Sequence, residues 1–436
     1  MFTTNPKNIS SAIIKYWPCL LILLAFIGFI SKALYNYPIG IMAILGLYKI
    51  ITDHRILLQD QILKTFTIVF LCLWLPLLIS LPDAVNPGHS SHTIFPYLRF
   101  FFAGVFIIEE ISMNKDRLRF IVTSLFFIIF FFCIDATIQF IFNSNILGFP
   151  YNPGEITGMF YPRNTISHIC AILSSFYFLY IYINMEKRWW LFLSLIPLFF
   201  IILLSGRRAA WVMLALTSLG FIIYGYRYTI SRKRFKRVAG MLVMLVSVVL
   251  GSTILLHTPT NVRFKATLGL FSNNYITINE ATAYRLQIWE VAYSICCRGP
   301  DVTLKHGSNP INGIGPRGFR HVYKDYAPGY DMFVLSKTPP THPHLLILEI
   351  LTETGLIGFI GYILLIYLIF RLVLQSKNKE TSLPFFIPVI VALFPFNSHM
   401  AFYGSIWSSM TWLLLALYFT NEKLICNNDF IQHKYT

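Results

Sequence analysis

The chain has 436 residues, of which 56% are hydrophobic and only 12% are charged. A soluble domain carries about 25% charged residues, so this composition excludes a soluble globular protein and predicts a membrane protein. The formal net charge of +16 does not indicate nucleic-acid binding, because the basic residues cluster in short segments between apolar runs.

Apolar runs long enough to cross a hydrocarbon core of ~30 Å recur from one end of the chain to the other. We predict an all-α polytopic transmembrane protein of about 12 helices, the first of which is a retained span and not a cleaved signal peptide. The predicted spans are 17–31, 38–51, 63–82, 95–110, 119–142, 165–185, 189–205, 209–226, 238–256, 345–370, 382–397 and 402–419.

The short segments between these spans differ in their content of lysine and arginine. With the N-terminus in the cytoplasm, the inner short segments carry 17 such residues and the outer ones carry four. Because cytoplasmic loops are the ones enriched in basic residues, both termini are predicted to be cytoplasmic. The chain then divides into spans one to nine (1–256), an outer loop with short helices (257–343), and spans ten to twelve with a cytoplasmic tail (344–436).

Three of the four outer basic residues stand at the entry of a span. Arg163 precedes span six, and Arg207 and Arg208 precede span eight. Arginine is disfavoured on the outer side and also at a helix N-terminus, which carries a partial positive charge. A bound anion compensates for both, so these arginines are candidate anion-binding residues. The alternative is that they extend towards lipid phosphates at the interface.

A histidine pair precedes span ten in the run Thr341-His342-Pro343-His344. Thr341 is predicted to cap the helix, which places His344 in the first turn, where the helix dipole opposes protonation. A neutral imidazole near pH 7 suits a general base. A solvated interfacial histidine is the alternative. A zinc site is disfavoured because no acidic or cysteine partner follows at a suitable spacing.

The outer loop contains an amphipathic stretch from Glu280 to Ile295, which predicts a helix on the membrane surface. Arg285 lies on this stretch, in the run ATAYRLQIWE. An arginine above a membrane cavity can bind a phosphate through two donors, although an ion pair within the loop would use the same side chain.

The run HLLILEILTETGLIGF, residues 344–359, resembles the signature of the O-antigen ligase superfamily. His344, Gly355 and Gly358 fit the spacing of its histidine and two glycines, and Glu353 fits its acidic position. Leu345 departs from the polar residue that usually follows the histidine.

Shorter runs resemble other segments of the same superfamily, in the same order along the chain. They are GMFYPRN ending at Asn164, SGRRAAW around Arg208, Arg285 with Trp289, and NGIGPRGF around Gly313, Gly315 and Gly318.

The resemblance implies a glycosyltransferase of the bacterial inner membrane with its active site facing the periplasm. Its partners are then membrane lipids, an undecaprenyl diphosphate-linked glycan as donor and the lipid A–core oligosaccharide as acceptor, with no nucleic acid, cofactor or metal. His344 is the candidate base, and Arg208 and Arg285 are expected to stabilise charge on the diphosphate. The expected substrate-binding residues are Arg207, Arg163, Asn164, His342 and Glu353.

Other functions remain open. An O-antigen polymerase of the same superfamily would use a second carrier-linked glycan as acceptor, and the ligase is favoured because a single outer loop dominates. A protein glycosyltransferase of the superfamily usually has a longer C-terminal region. A twelve-span secondary transporter predicts two related halves and polar groups at the membrane midplane, whereas the charges here gather at the outer surface.

Overall fold

The computed structural model of the chain is a bundle of long apolar helices. It describes residues 6–152, 155–185, 188–228, 268–297, 309–398 and 400–434, together with positions 240 and 266. Within these ranges there is no β-strand, only two isolated bridges. The predicted ninth span lies outside the described residues except for position 240, and parts of the outer loop lie outside them as well.

The α-helices of the described residues follow one another in chain order. They are α1 (Pro6–Gly28), α2 (Asn36–Thr52), α3 (Ile56–Gln59), α4 (Gln61–Ile79), α5 (Pro87–Ser112), α6 (Lys115–Phe142), α7 (Ile166–Asn184), α8 (Leu195–Leu204), α9 (Arg208–Tyr228), α10 (Tyr275–Ala281), α11 (Arg285–Cys297), α12 (Phe319–Tyr326), α13 (Met332–Leu335), α14 (Leu346–Gln375), α15 (Lys379–Ala392) and α16 (Ser405–Lys434). Short 3₁₀ helices lie at Gly158–Phe160, Trp189–Ser194 and Gly269–Phe271.

Among the described residues, five helices, α4, α6, α7, α9 and α14, are long and apolar enough to cross a membrane. Shorter apolar helices accompany them at Ile14–Gly28, Asn36–Thr52 and Trp190–Leu204. The prediction of an all-helical, multi-pass membrane protein is confirmed, since helices satisfy their own main-chain hydrogen bonds inside lipid. Apart from the ninth, each predicted span overlaps one of the helices, and the total of twelve stays a prediction.

The long helices run alternately between two ends of the bundle. The loop end carries segments 29–35, 80–86, 143–165, 205–207 and 393–404, and the opposite end carries segments 53–60, 113–114 and 376–378.

Aromatic side chains fill the core where α4, α5 and α16 meet. The rings of Phe66 and Phe70 lie 5.9 and 5.1 Å from that of Trp412, measured between centroids. Trp412 Nε1 donates to the hydroxyl of Tyr97 at 2.9 Å, so the buried indole N–H is satisfied.

The last helix, α16, continues beyond residue 419, where the final span was predicted to end. Its polar residues find partners at the opposite end of the bundle. Lys423 pairs with Asp60 at 2.6 Å and also with Glu109, and Asn421 donates to the carbonyl of Thr381 at 3.1 Å. These contacts hold the helix where the apolar run has stopped.

The described part of the outer loop has a small core of its own. Ile288, Val291 and Ile295 on α11 pack with Phe319 and Tyr323 on α12. A separate core of this kind makes the loop a folded unit that can position side chains.

Candidate active site

Helix α14 is broken at Gly355, where φ is 62° and ψ is −160°. Four main-chain hydrogen bonds of 2.9–3.2 Å join residues 310–315 to residues 352–357 across the break. A Cβ on Gly355 would lie 2.3 Å from the carbonyl oxygen of Ile311, so glycine is needed both for the positive φ and for the close approach. The glycine-rich turn of the loop is therefore fixed to a membrane helix through main-chain atoms.

Glu353 lies fully buried beside this junction. Its Oε2 accepts a hydrogen bond of 2.8 Å from the main-chain N–H of Arg317, which has a φ of 64°. A left-handed backbone is unfavourable for a residue with a side chain, so the carboxylate stabilises the turn. This contact of Glu353 holds the loop in place, and the substrate-binding role predicted for it stays a prediction.

Arg208 and Arg285 are the first residues of helices α9 and α11. Arg208 Nη1 donates to the main-chain oxygen of Ala281, at the end of α10. Arg285 Nη1 donates to Ser398 Oγ at 2.8 Å, and not to a carboxylate within the described residues. Two elements distant in sequence are thereby brought to one place at the loop end.

The single amphipathic helix predicted over residues 280–295 is instead two helices. Ala283 and Tyr284 have φ values of 57° and 60°, so the chain turns sharply between α10 and α11. The prediction was wrong because side-chain periodicity does not register a break of this kind. The break makes Arg285 the first residue of a new helix.

Arg207, Arg208 and Arg285 form one cationic group, called here the arginine cluster. The pKa of Arg285 is lowered to about 10, first by burial and then by the positive charges of Arg208 and Arg207. Arg207 lies 3.8 Å from Glu155 Oε1, and both of these side chains are well exposed, at 37% and 49%. Mutual repulsion among guanidinium groups favours an anion between them.

Asn164 orients Arg207. With its amide placed to satisfy both polar atoms, Asn164 donates to the carbonyl of Ile156 at 3.0 Å. Its oxygen then accepts from Arg207 Nε and Nη2, each at 3.3 Å. Asn164 therefore acts on the arginine cluster through Arg207.

The segment that carries Asn164 is anchored to α6 by two buried polar residues. Gln139 Oε1 accepts from the main-chain N–H groups of Thr157 and Gly158 at 3.0 and 2.7 Å. Asp135 accepts from the N–H of Ile146 at 3.1 Å and from the side chain of Asn145 at 3.2 Å. Both residues stood inside a predicted span, where nothing in the local sequence connected them with the site.

Arg163, which precedes Asn164 in the chain, does not share the contacts of Asn164 with the arginine cluster. Its Nη2 donates to the main-chain oxygen of Phe29, between α1 and α2, at 3.0 Å. Burial lowers the pKa of the Arg163 guanidinium. The structure thus brings Arg207, Arg208, Arg285 and Asn164 together and places Arg163 beside a different turn.

The histidine pair lies just before α14 and not within it. The helix begins at Leu346, and its capping residue is Leu345, so Thr341 does not cap it and His344 is not in its first turn. The first N–H groups are satisfied instead by main-chain oxygens, with Leu346 donating to Asn397 at 2.9 Å and Ile347 to Pro395 at 3.1 Å. A cap supplied by a distant segment leaves no local signal, and the prediction was wrong for that reason.

His344 has a left-handed backbone, with a φ of 54°. Its ring centroid lies 3.9 Å from that of His342, whose Nδ1 is 2.9 Å from the hydroxyl of Thr341. The two imidazoles form a close pair immediately above the start of a membrane helix.

Segment 395–398 connects the histidine pair with the arginine cluster. Its carbonyl groups at Pro395 and Asn397 accept hydrogen bonds from the first N–H groups of α14, which begins two residues after His344. The hydroxyl of Ser398 accepts a hydrogen bond from Arg285. These residues were not predicted from the sequence, because nothing in the run FPFNS distinguishes it from an ordinary loop between two helices.

His168 is a further residue that was not predicted from the sequence. It is buried in the first turn of α7, and both Arg207 and Arg285 act on it electrostatically. It lies four residues after Asn164, which is about one helical turn, so extending the GMFYPRN motif by one turn would have included it.

These features define a multi-pass helical membrane protein with a cationic site where the loop that precedes α14 meets the helix ends. Residues 192–363 match the model of the family described as O-antigen ligase. The resemblance to the O-antigen ligase superfamily is thereby confirmed over the segment that contains the arginine cluster, His344 and both signature glycines. Arg163 and Asn164 precede the matched segment. No curated protein matches the chain.

Proposed function

We propose that the protein is an O-antigen ligase of the bacterial inner membrane, with its active site facing the periplasm. It transfers O-antigen polysaccharide from undecaprenyl diphosphate to the lipid A–core acceptor. The observation that carries this proposal is the arginine cluster, in which Arg208 and Arg285 each begin a helix and Arg207 adds a third charge. Such a cluster suits a diphosphate.

The chemistry required is a single displacement at the anomeric carbon. The acceptor oxygen forms a bond to this carbon, while the bond from the carbon to the diphosphate oxygen breaks and the diphosphate departs with the electron pair. Direct attack inverts the anomeric configuration. The charge that grows on the leaving diphosphate is the main barrier, and Arg208 and Arg285 stabilise it in a site partly shielded from water.

In this proposal His344 accepts the proton of the attacking hydroxyl. A general base contributes about 10²–10⁴-fold to such a step. His342 lies against His344 and is suited to orienting it. Neither a metal nor a cofactor has a part in the step that we propose.

The first prediction concerns His344→Ala, which we expect to reduce transfer by about 10²-fold or more while the protein still accumulates in the membrane. The measurement is the rate of glycan transfer by purified protein, normalised to its amount. His92→Ala is the matched control, because His92 is an exposed histidine at the loop end. Full activity of His344→Ala would remove this histidine from the mechanism.

A gene deletion separates the ligase from a polymerase of the same superfamily. Loss of a ligase leaves long glycan on the lipid carrier while the lipid A–core stays bare. Loss of a polymerase instead leaves single repeat units attached to the core. The second pattern would contradict our proposal.

A further inference from the structure

A group of basic side chains lies where the start of α5 meets α12, and the proposed chemistry does not use it. This group, called here the basic patch, consists of His89, Arg317, Arg320 and His321. His89 is its centre, because its ring centroid lies 5.9 Å from that of His321. Partial burial and then the positive charges of Arg317 and Arg320 lower the pKa of His89. The four side chains are therefore close enough to act on one small ligand.

Hydrogen bonds to main-chain oxygens fix the two halves of the basic patch to each other. The N–H of Val85 donates to the carbonyl of Ile314 at 3.0 Å, and Ser90 Oγ donates to the carbonyl of Pro316 at 3.1 Å. A Cβ on Gly315 would lie 2.4 Å from that of Ala84, so the two segments are in close contact. The basic side chains are thus held together by contacts that do not involve their charges.

In the part of the chain that the structure describes, no carboxylate lies within ion-pair distance of Arg317 or Arg320. The nearby Asp83 instead accepts hydrogen bonds from two asparagine side chains of the glycine-rich turn. Arg317 acts electrostatically on the buried Glu349 and Glu353, whereas the side chain of Arg320 is exposed. The charge of Arg320 is therefore accessible to an anion from outside the chain, and repulsion within the patch favours one.

The basic patch lies just beyond the apolar surface of α5, whose predicted span begins at residue 95. Pro96 follows His89 by two turns on the same face of the helix, and both Phe95 and Pro96 are exposed. Exposed apolar side chains on a membrane helix contact lipid, which places the patch about 10 Å from a lipid-facing surface. This position suits a phosphate on a molecule that is anchored in the outer leaflet.

The basic patch is also connected to the proposed active site through main-chain atoms. The glycine-rich turn that leads into Arg317 is hydrogen-bonded to α14 on both sides of Gly355, and the N–H of Arg317 donates to Glu353. Helix α14 begins two residues after His344. A ligand at the patch therefore has a fixed relation to the start of this helix, which a substrate requires and a bulk lipid does not.

We propose that the basic patch binds a phosphate group of the lipid-anchored acceptor. This proposal rests on the proposed function. Arg320 pairs with the phosphate oxygens, and the rings of His89 and His321 add N–H donors. A phosphate monoester suits several donors, because it carries about two negative charges near pH 7. Binding at this point orients the acceptor while the bond forms elsewhere.

The test measures binding of the acceptor to the full chain in phosphatidylcholine nanodiscs, and it needs no transfer. The acceptor is used in its phosphorylated form and after enzymatic dephosphorylation. We expect Arg320→Gln to raise Kd for the phosphorylated acceptor by about 10-fold, at the lower end for a charge-assisted hydrogen bond because the site is exposed. The wild type should lose the same factor on the dephosphorylated acceptor, and the variant should not distinguish the two forms.

Three further variants support this measurement. Arg320→Lys keeps the charge and should retain most of the affinity, whereas His89→Gln should raise Kd less than Arg320→Gln and only for the phosphorylated form. Lys32→Gln is the matched control, because Lys32 is an exposed cation at the loop end, outside the patch. It should bind both forms as the wild type does.

An equal loss on both forms in Arg320→Gln, or an unchanged Kd, would overturn the proposal. Nanodiscs of phosphatidylglycerol test the other source of a lipid phosphate. We expect this lipid to affect the wild type and Arg320→Gln equally. If it instead lowers the affinity of the wild type to that of Arg320→Gln and leaves the variant unchanged, the patch binds bulk phospholipid and the proposal is wrong.

The same measurement separates this proposal from the proposed function. If the wild type transfers glycan but binds both forms of the acceptor equally, the proposal fails and the proposed function stands. If Arg320→Gln loses the preference for phosphate while even the wild type transfers no glycan, the patch stands and the proposed function fails.

Discussion

Each arginine of the cluster is held by a different kind of partner. Arg208 donates to a main-chain oxygen, and Arg285 donates to a hydroxyl. Arg207 donates to the amide oxygen of Asn164 and lies beside the carboxylate of Glu155. Main-chain and hydroxyl oxygens orient the guanidinium groups of Arg208 and Arg285, whereas the carboxylate of Glu155 offsets part of the charge of Arg207. These contacts fix the geometry of the cluster.

A double-mutant cycle on Asn164 and Arg207 tests this reading. We expect Asn164→Ala and Arg207→Gln each to lower kcat/KM for the donor, and the double variant to be little worse than Arg207→Gln alone. The coupling free energy should be about 1–2 kcal/mol, as for other residues in direct contact. Additive effects would mean that Asn164 acts independently of Arg207.

At the scale of residues, the sequence was most informative where an arginine stood at a position that membrane topology and the helix dipole disfavour. Arg207, Arg208 and Arg285 were predicted from their charge and position, and the structure brings them together. Ser398 could not be predicted, because a serine 113 residues away from Arg285 carries no mark of its partner.

At the scale of elements, the junction between α14 and the glycine-rich turn controls where the loop sits. Residues 310–315 replace the missing helical hydrogen bonds at Gly355, so the break in the helix is not exposed to lipid. A Cβ on Gly313 would likewise lie 2.5 Å from the main chain of Glu353. Both sides of the junction depend on the absence of a side chain.

We expect Gly355→Ala to destabilise the protein by about 2–5 kcal/mol, because it adds a clash with Ile311 to an unfavourable φ. Thermal unfolding in detergent, followed with and without a diphosphate-containing ligand, measures this effect. Gly40→Ala is the control, since a Cβ there meets nothing within 4 Å, and it should be neutral or stabilising by up to about 1 kcal/mol. Equal stability of the two variants would contradict the importance of the junction.

The approximate positions of the helices followed from the apolar runs, because lipid imposes a minimum length on each of them. The capping of α14 did not. Its capping groups come from segment 395–398, about 50 residues later, and no rule of local capping describes such an arrangement. The backbone of His344 is consequently free of helical constraint and adopts a left-handed conformation.

At the scale of the whole molecule, the two ends of the bundle have opposite electrostatic designs. At the opposite end, Lys423 lies with Asp60 and Glu109, and Lys49 pairs with Glu110 at 2.7 Å. At the loop end, Arg163, Arg208 and Arg285 donate to main-chain or hydroxyl oxygens. Arg207 lies 3.8 Å from Glu155 at the same end. The opposite end therefore shows close ion pairs, and the loop end carries the arginine cluster.

Two exposed cysteines test the predicted orientation of the chain. Cys297 ends α11 in the outer loop, and Cys426 lies on α16 towards the C-terminus. In variants that keep only one of them, we expect a membrane-impermeant maleimide added to the periplasmic side to label Cys297 and to spare Cys426. After the membrane is permeabilised, both should react. Labelling of Cys426 from outside would reverse the topology.

The orientation stays a prediction from loop charge, which is a sum over many residues. Relationships between the loop and the bundle could not be predicted from such a sum. The contact between Arg208 and Ala281 joins residues 73 positions apart, and it depends on how the loop folds on its own small core.

The junction at Gly355 has a consequence for engineering. Hydrogen bonds between main-chain atoms do not discriminate among side chains, and Ile311, which supplies one of them, is 59% exposed. We therefore expect the side chain of Ile311 to be replaceable without loss of the junction. Gly313 and Gly355 must be kept, because a Cβ on either one would meet the main chain of the other side.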